Sequence, residues 1–452
     1  MTAPALLARP VPELGRVRKA KLPTVSERLL GNGLRVLVVR RPSVPVVHLR
    51  LRVPTAVRRD DDLARAKLLE RTMLLGTAAR SQSELAEALQ RIGGALRVSG
   101  DADRVVVAGE SLSGALPELL ELLAEVLTSA AYPRHEVEGE RDRLAEQVRR
   151  AWAEPGLVAD EAWVRRAFGR HPYGREHPEP AEVLAVVPTA LRGAHRRRMV
   201  PDGSVLVLVG DLQPSRALDR VEAALSGWSA EGHASRVPKV PAMQPGPLVL
   251  VDRPGAVQSN LRIGGPALAR TDPAYAALDV TNALFGGYFS SRLVRNIRED
   301  KGYTYSPRSS LHHGDRASFL LLQADVATEV TAPALLEVAY ELGRIASLPP
   351  SEQEVRDTAQ YLVGALALST STQAGLAGTL SVLLAQGLDV SWLREHPQRL
   401  LTVKPGDVHE AARRFLAPSS LVTTVLGDAA VVRGPLAALG DVASGDTPRH
   451  AL

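Results

Sequence analysis

The sequence predicts an α+β protein made of two homologous α/β-roll halves joined by a linker, and three observations carry that prediction. First, a buried strand ending in a Gly-Asp turn occurs twice, 217 residues apart, as Ser204-Val205-Leu206-Val207-Leu208-Val209-Gly210-Asp211 and Leu421-Val422-Thr423-Thr424-Val425-Leu426-Gly427-Asp428. Each copy follows an Arg-rich helix end and a proline: Arg197, Arg198 and Pro201 in one, Arg413, Arg414 and Pro418 in the other. Second, two further pairs keep the order and nearly the offset. These are Val39-Arg40-Arg41-Pro42 with Val251-Asp252-Arg253-Pro254, and His135-Glu136-Val137 with Gln353-Glu354-Val355. Third, strands and helices come in blocks and each half closes on a strand, which argues against a doubly wound parallel sheet.

In chain order, residues 1–23 read as an N-terminal extension and 24–228 as the first half. Within that half, Leu34 to Val39 and Val46 to Val53 are strand-like, and helical periodicity follows near 62–75 and 82–92. One strand is expected over about 95–109, then long helices over 114–128 and 134–152. Residues 229–247 hold four prolines and little apolar periodicity, which makes them the linker. The second half runs over 248–440 and a tail over 441–452.

Composition narrows the function. Of 452 residues 45% are hydrophobic, enough for two substantial cores. With no cysteine, thiolate metal sites, disulfides and cysteine nucleophiles are excluded. That absence fits a reducing compartment. The first 30 residues lack the continuous apolar core of a signal peptide, and no stretch is apolar enough for a membrane span. A soluble cytoplasmic protein with no membrane partner is the expectation. The net charge of +5 is small for this length, and basic runs such as His195-Arg196-Arg197-Arg198 lack interleaved aromatics, so no nucleic-acid partner is expected. There is no Gly-x-Ser-x-Gly elbow and no Walker loop.

Several motifs are more specific. The first half contains Leu69-Glu70 through Gly76-Thr77, a charged helix from Glu136 to Val148, and His171-Pro172-Tyr173-Gly174. The second contains Val251-Asp252-Arg253-Pro254-Gly255-Ala256-Val257-Gln258-Ser259, then Gly286-Gly287-Tyr288-Phe289-Ser290-Ser291-Arg292-Leu293 running into Ile297-Arg298-Glu299-Asp300-Lys301-Gly302-Tyr303-Thr304-Tyr305-Ser306. Over roughly residues 24–440 the chain resembles the M16, pitrilysin-like metallopeptidases, in particular the short bacterial branch related to mitochondrial processing peptidase. That resemblance implies the metallohydrolase α/β-roll fold, with the two halves forming one side of a clamshell chamber.

The family's zinc motif is His-x-x-Glu-His on a helix, with a further glutamate about 76 residues on; two imidazoles and that carboxylate bind zinc while the first glutamate serves as base. Here the aligned residues are Lys67, Glu70 and Arg71, with Gln147 at the distal position. Only the base position is retained. Two cationic side chains repel a dication, so no metal is expected in this chain. No other histidine pair has zinc spacing; His312-His313 is the nearest cluster, and neighbours on a strand point apart.

The resemblance further implies that Arg298 and Tyr305, seven apart, meet the substrate and its oxyanion, with Gly286, Gly287, Tyr288 and Phe289 as substrate-binding neighbours. Leu96 to Ser99 falls where such enzymes add substrate as an edge strand, but no substrate role is assigned to it. The expected arrangement is a zinc-less subunit beside a partner carrying an intact His-x-x-Glu-His and zinc, together cleaving peptides or unfolded segments such as leader peptides. The alternative is a structural or peptide-binding scaffold with no part in proteolysis.

Overall fold

A computed structural model describes residues 23–445 apart from 59, 230 and 231. The expected N-terminal extension therefore lies almost wholly outside the described residues. The first half holds β1 (Val25–Leu29), β2 (Arg35–Arg40), β3 (Val46–Pro54), β4 (Ala95–Gly100), β5 (Arg104–Leu112) and β6 (Val205–Gly210). The second holds β7 (Leu248–Asp252), β8 (Gln258–Pro266), β9 (Arg308–His313), β10 (Ser318–Ala327), β11 (Val422–Gly427) and β12 (Val442–Gly445).

Each set forms one six-stranded mixed sheet, in the orders β1-β2-β6-β3-β5-β4 and β12-β7-β11-β8-β10-β9. From the second position onward the two orders superimpose strand for strand, including the parallel β2–β6 and β7–β11 pairs. The repeated strand of the sequence is β6 and β11, near the centre of each sheet. In β6 every residue is buried, as a strand covered on both faces requires.

Two sequence expectations are corrected. The strand expected over 95–109 is the hairpin of β4 and β5: Asp101 and Asp103 cap its turn, with Asp101 Oδ1 accepting from the Asp103 N–H at 2.9 Å. The second half also extends beyond 440, because Val442–Gly445 of the presumed tail is β12, parallel to β7.

The halves exchange helices. Pro155–Phe168, from the first half, packs on β8 and β11, while Gln373–Ala385, from the second, packs on β3 and β6. Trp163 is fully buried on the second sheet, its indole N–H donating to the Val422 carbonyl at 3.1 Å. Gly264 makes room for it, since a Cβ there would come 2.5 Å from the Trp163 ring. In the other direction Leu376, Leu380 and Leu383 join Leu37, Val39, Val207 and Val209 in one core cluster. Each sheet is thus covered on one face by its own helices and on the other by a helix of its twin.

Candidate functional site

Helix Asp60–Thr72 buries Leu63, Ala64, Leu68 and Leu69 against the first sheet. Lys67, Glu70 and Arg71, at i, i+3 and i+4, share another face. That face meets β4 and helix Arg134–Ala151. The structure brings all four expected residues together. The Arg71 guanidinium donates to the Gln147 side-chain carbonyl at 2.7 Å and forms an ion pair with Glu140. Glu140 also takes a hydrogen bond from Arg143 at 2.8 Å. Lys67 donates to the Gly100 carbonyl at 3.0 Å and stands 3.8 Å from Glu70. Burial pushes the Glu70 carboxyl up to about 7, with Lys67 opposing the shift.

The second cluster lies on a stretch of irregular helix. Residues Ala283–Gly287 and Arg295–Asp300 are both π-helical turns, a geometry that recurs at functional sites. Gly286 is required because a Cβ would come 2.9 Å from Ser309. Ser309 in turn donates to buried Asn282 at 2.6 Å and pins the turn to β9. Arg292 grips Glu354 through two hydrogen bonds of 3.0 and 2.9 Å, and Asn296 donates to Glu337 and Glu341.

This frame holds Arg298 between two rings, its guanidinium carbon 4.6 Å from the Phe289 centroid and 4.7 Å from that of Tyr305. Phe289 is 60% and Tyr305 80% exposed, so the sandwich stands on the surface. Tyr288 turns away to stack on Tyr361 with centroids 4.7 Å apart. Among the described residues the Arg298 guanidinium makes no hydrogen bond or ion pair, which leaves its donors unspent.

His312 and His313 diverge. The first ring stacks on Phe319 at 4.7 Å, whereas the second contacts Ser318 and Tyr275. Among the described residues, no hydrogen bond, ion pair or ring contact joins the Arg71 cluster to the Arg298 cluster.

Residues 35–181 match the family model described as insulinase, peptidase family M16, and residues 185–362 match that described as the peptidase M16 inactive domain. The chain belongs to the M16 peptidase family. An uncharacterised zinc protease of Streptomyces coelicolor is 24% identical over 92% of this chain and 91% of its own length. The beta subunit of the mitochondrial-processing peptidase of Neurospora crassa is 22% identical over 66% of this chain and 61% of its own. In fold, the chain resembles a crystal structure from Pseudomonas fluorescens titled as a peptidase M16 inactive domain, with a TM-score of 0.83, 21% identity and 90% and 98% of the two chains covered. A Helicobacter pylori protease gives a TM-score of 0.82 at 19% identity, with 90% and 100% covered.

M16 membership implies zinc, and the residues present do not fit it. A zinc site needs lone pairs from neutral or anionic ligands, but positions 67 and 71 supply an ammonium and a guanidinium. Arg71 is itself the cation that Glu140 and Gln147 hold. Sequence reasoning missed Glu140. Its signal was there: it precedes Gln147 by seven residues, two turns along the same helix face.

Proposed function

We propose that this chain is the zinc-less subunit of a two-subunit M16 peptidase. A partner subunit with an intact His-x-x-Glu-His supplies zinc and base, and this chain presents Arg298 and Tyr305 to the substrate. The observation that carries the reading is the contrast between the two clusters. At the motif, charge is neutralised internally by the Arg71–Glu140 pair. At the second cluster, a guanidinium with unspent donors among the described residues lies on the surface between an exposed phenyl ring and an exposed phenol.

A tetrahedral intermediate of peptide hydrolysis develops negative charge on oxygen, and fixed donors aimed there lower the barrier. Arg298 and Tyr305 suit that role, and Phe289 holds the arginine in place. Substrates are peptides or unfolded segments such as leader peptides, processed in the cytoplasm. The relative named as a peptidase subunit supports an assembly of this kind.

The test is co-expression with an M16 partner that carries the intact motif. Cleavage requires both chains, and Arg298→Ala or Tyr305→Phe lowers turnover by about 10²–10³ while the pair still forms. Normal turnover in those assembled variants would favour the scaffold reading.

A further inference from the structure

The junction between the two halves forms an open cleft of about 700 Å³ that lies apart from both clusters above. Its wall carries Arg35, Arg52, Arg104, Arg236 and Arg270, against only Asp202 and Asp315. The wall groups alone carry an excess of arginine, but Glu27 behind Arg35 and Asp101 and Asp103 behind Arg104 offset it, so what is left is a matter of individual unpaired groups. Two of the arginines are already committed. Arg35 pairs with Glu27 at 2.5 Å, and Arg104 with Asp101 at 2.8 Å and Asp315 at 3.8 Å.

Arg52 is not committed. It projects from β3 toward the helix donated by the second half, is only 6% exposed, and its Nη2 is buried without a hydrogen-bond partner among the described residues. Arg270, on the opposite wall, donates to the Gln386 side-chain carbonyl at 3.1 Å and has no carboxylate partner among the described residues. His313, between them, is held well below its ordinary range, at about 3, by burial and then by Arg270, so it is a neutral wall.

A buried guanidinium without a counter-ion is costly, and the fold offers no internal compensation for Arg52. We infer that the cleft around Arg52 and Arg270 binds a small phosphate-bearing anion. The planar fork of arginine matches phosphate oxygens, an anion pairs Arg52 and Arg270, which have no carboxylate of their own among the described residues, and the volume accommodates more than inorganic phosphate alone. Leu29, 71% exposed, borders the cleft and marks its open side. This inference does not depend on the proposed peptidase role, because it concerns the isolated chain.

The experiment is a thermal-shift and calorimetric titration of the isolated protein with pyrophosphate and ATP, with citrate as the carboxylate control, all at fixed ionic strength. Saturable binding of the phosphate compounds is expected, weakened at least tenfold by Arg52→Met and by Arg270→Gln. Without ligand, Arg52→Met should melt at the same temperature or higher, since an isosteric apolar chain replaces an uncompensated charge. No saturable binding, binding of citrate in preference, or unchanged affinity in both variants would overturn the inference. So would a large drop in the ligand-free midpoint of Arg52→Met, which would make Arg52 a structural residue.

Discussion

Glu70 is the one member of the zinc motif that survives, and its environment makes a quantitative prediction. Its carboxyl is buried beside β4, and burial outweighs the two influences that favour its charge, Lys67 at 3.8 Å and a backbone hydrogen bond from Gly100. The folded protein releases this proton near pH 7, whereas the unfolded chain releases it near the ordinary value of 4.5. As pH rises through that window the unfolded state loses the proton first, so stability falls between about 4.5 and about 7 and then levels off. The separation corresponds to about 3 kcal/mol at pH 8.

Glu70→Gln keeps the shape and removes the titration. It should be more stable than wild type by about 3 kcal/mol at pH 8, and by less than about 1 kcal/mol at pH 4.5. Urea denaturation of both proteins at the two pH values measures the difference. An advantage that is equal at both pH values, or a wild type more stable at pH 8, would refute the burial argument.

Three other outcomes follow from the same geometry. Lys67→His, Arg71→His and Gln147→Glu together restore imidazoles at i and i+4 and a carboxylate opposite. That triple variant should retain about one equivalent of zinc after dialysis, read by elemental analysis. Trp163→Ala empties a fully buried site on the sheet of the other half. It should cost about 3–5 kcal/mol, and a second unfolding transition would report the loosened halves. Arg298→Ala and Tyr305→Phe should separate turnover from assembly in the reconstituted pair.

The duplication was legible because β6 and β11 are central, largely buried strands closed by the same Gly-Asp turn. Outer strands were harder to read. β1 and β12 are short and half exposed, and their sequences lack the alternation that marks a strand. The β4–β5 turn was read through as one strand, because Ser99-Gly100-Asp101-Ala102-Asp103 is flanked by alternating residues on both sides.

The helix exchange was invisible. Apolar residues in Gln373–Ala385 announce burial, but nothing local says which sheet they bury against. The candidate site divided in the same way. Lys67, Glu70, Arg71 and Gln147 could be placed by motif spacing. Glu140 shares the helix face of Gln147 at a seven-residue spacing, but that spacing alone does not say that a guanidinium from another helix reaches it. The pinning of Arg298 between Phe289 and Tyr305 depends on two π-helical turns, and no spacing rule predicts those.

The most direct test of the account is the metal content of the isolated protein, purified without chelator and dialysed against excess zinc. With the Arg71 guanidinium held by Glu140 and Gln147, bound zinc should be far below one equivalent, and Arg71→Ala alone should not raise it to one. A stoichiometric zinc ion in the wild-type chain, lost on mutating Glu70 or Glu140, would contradict the account.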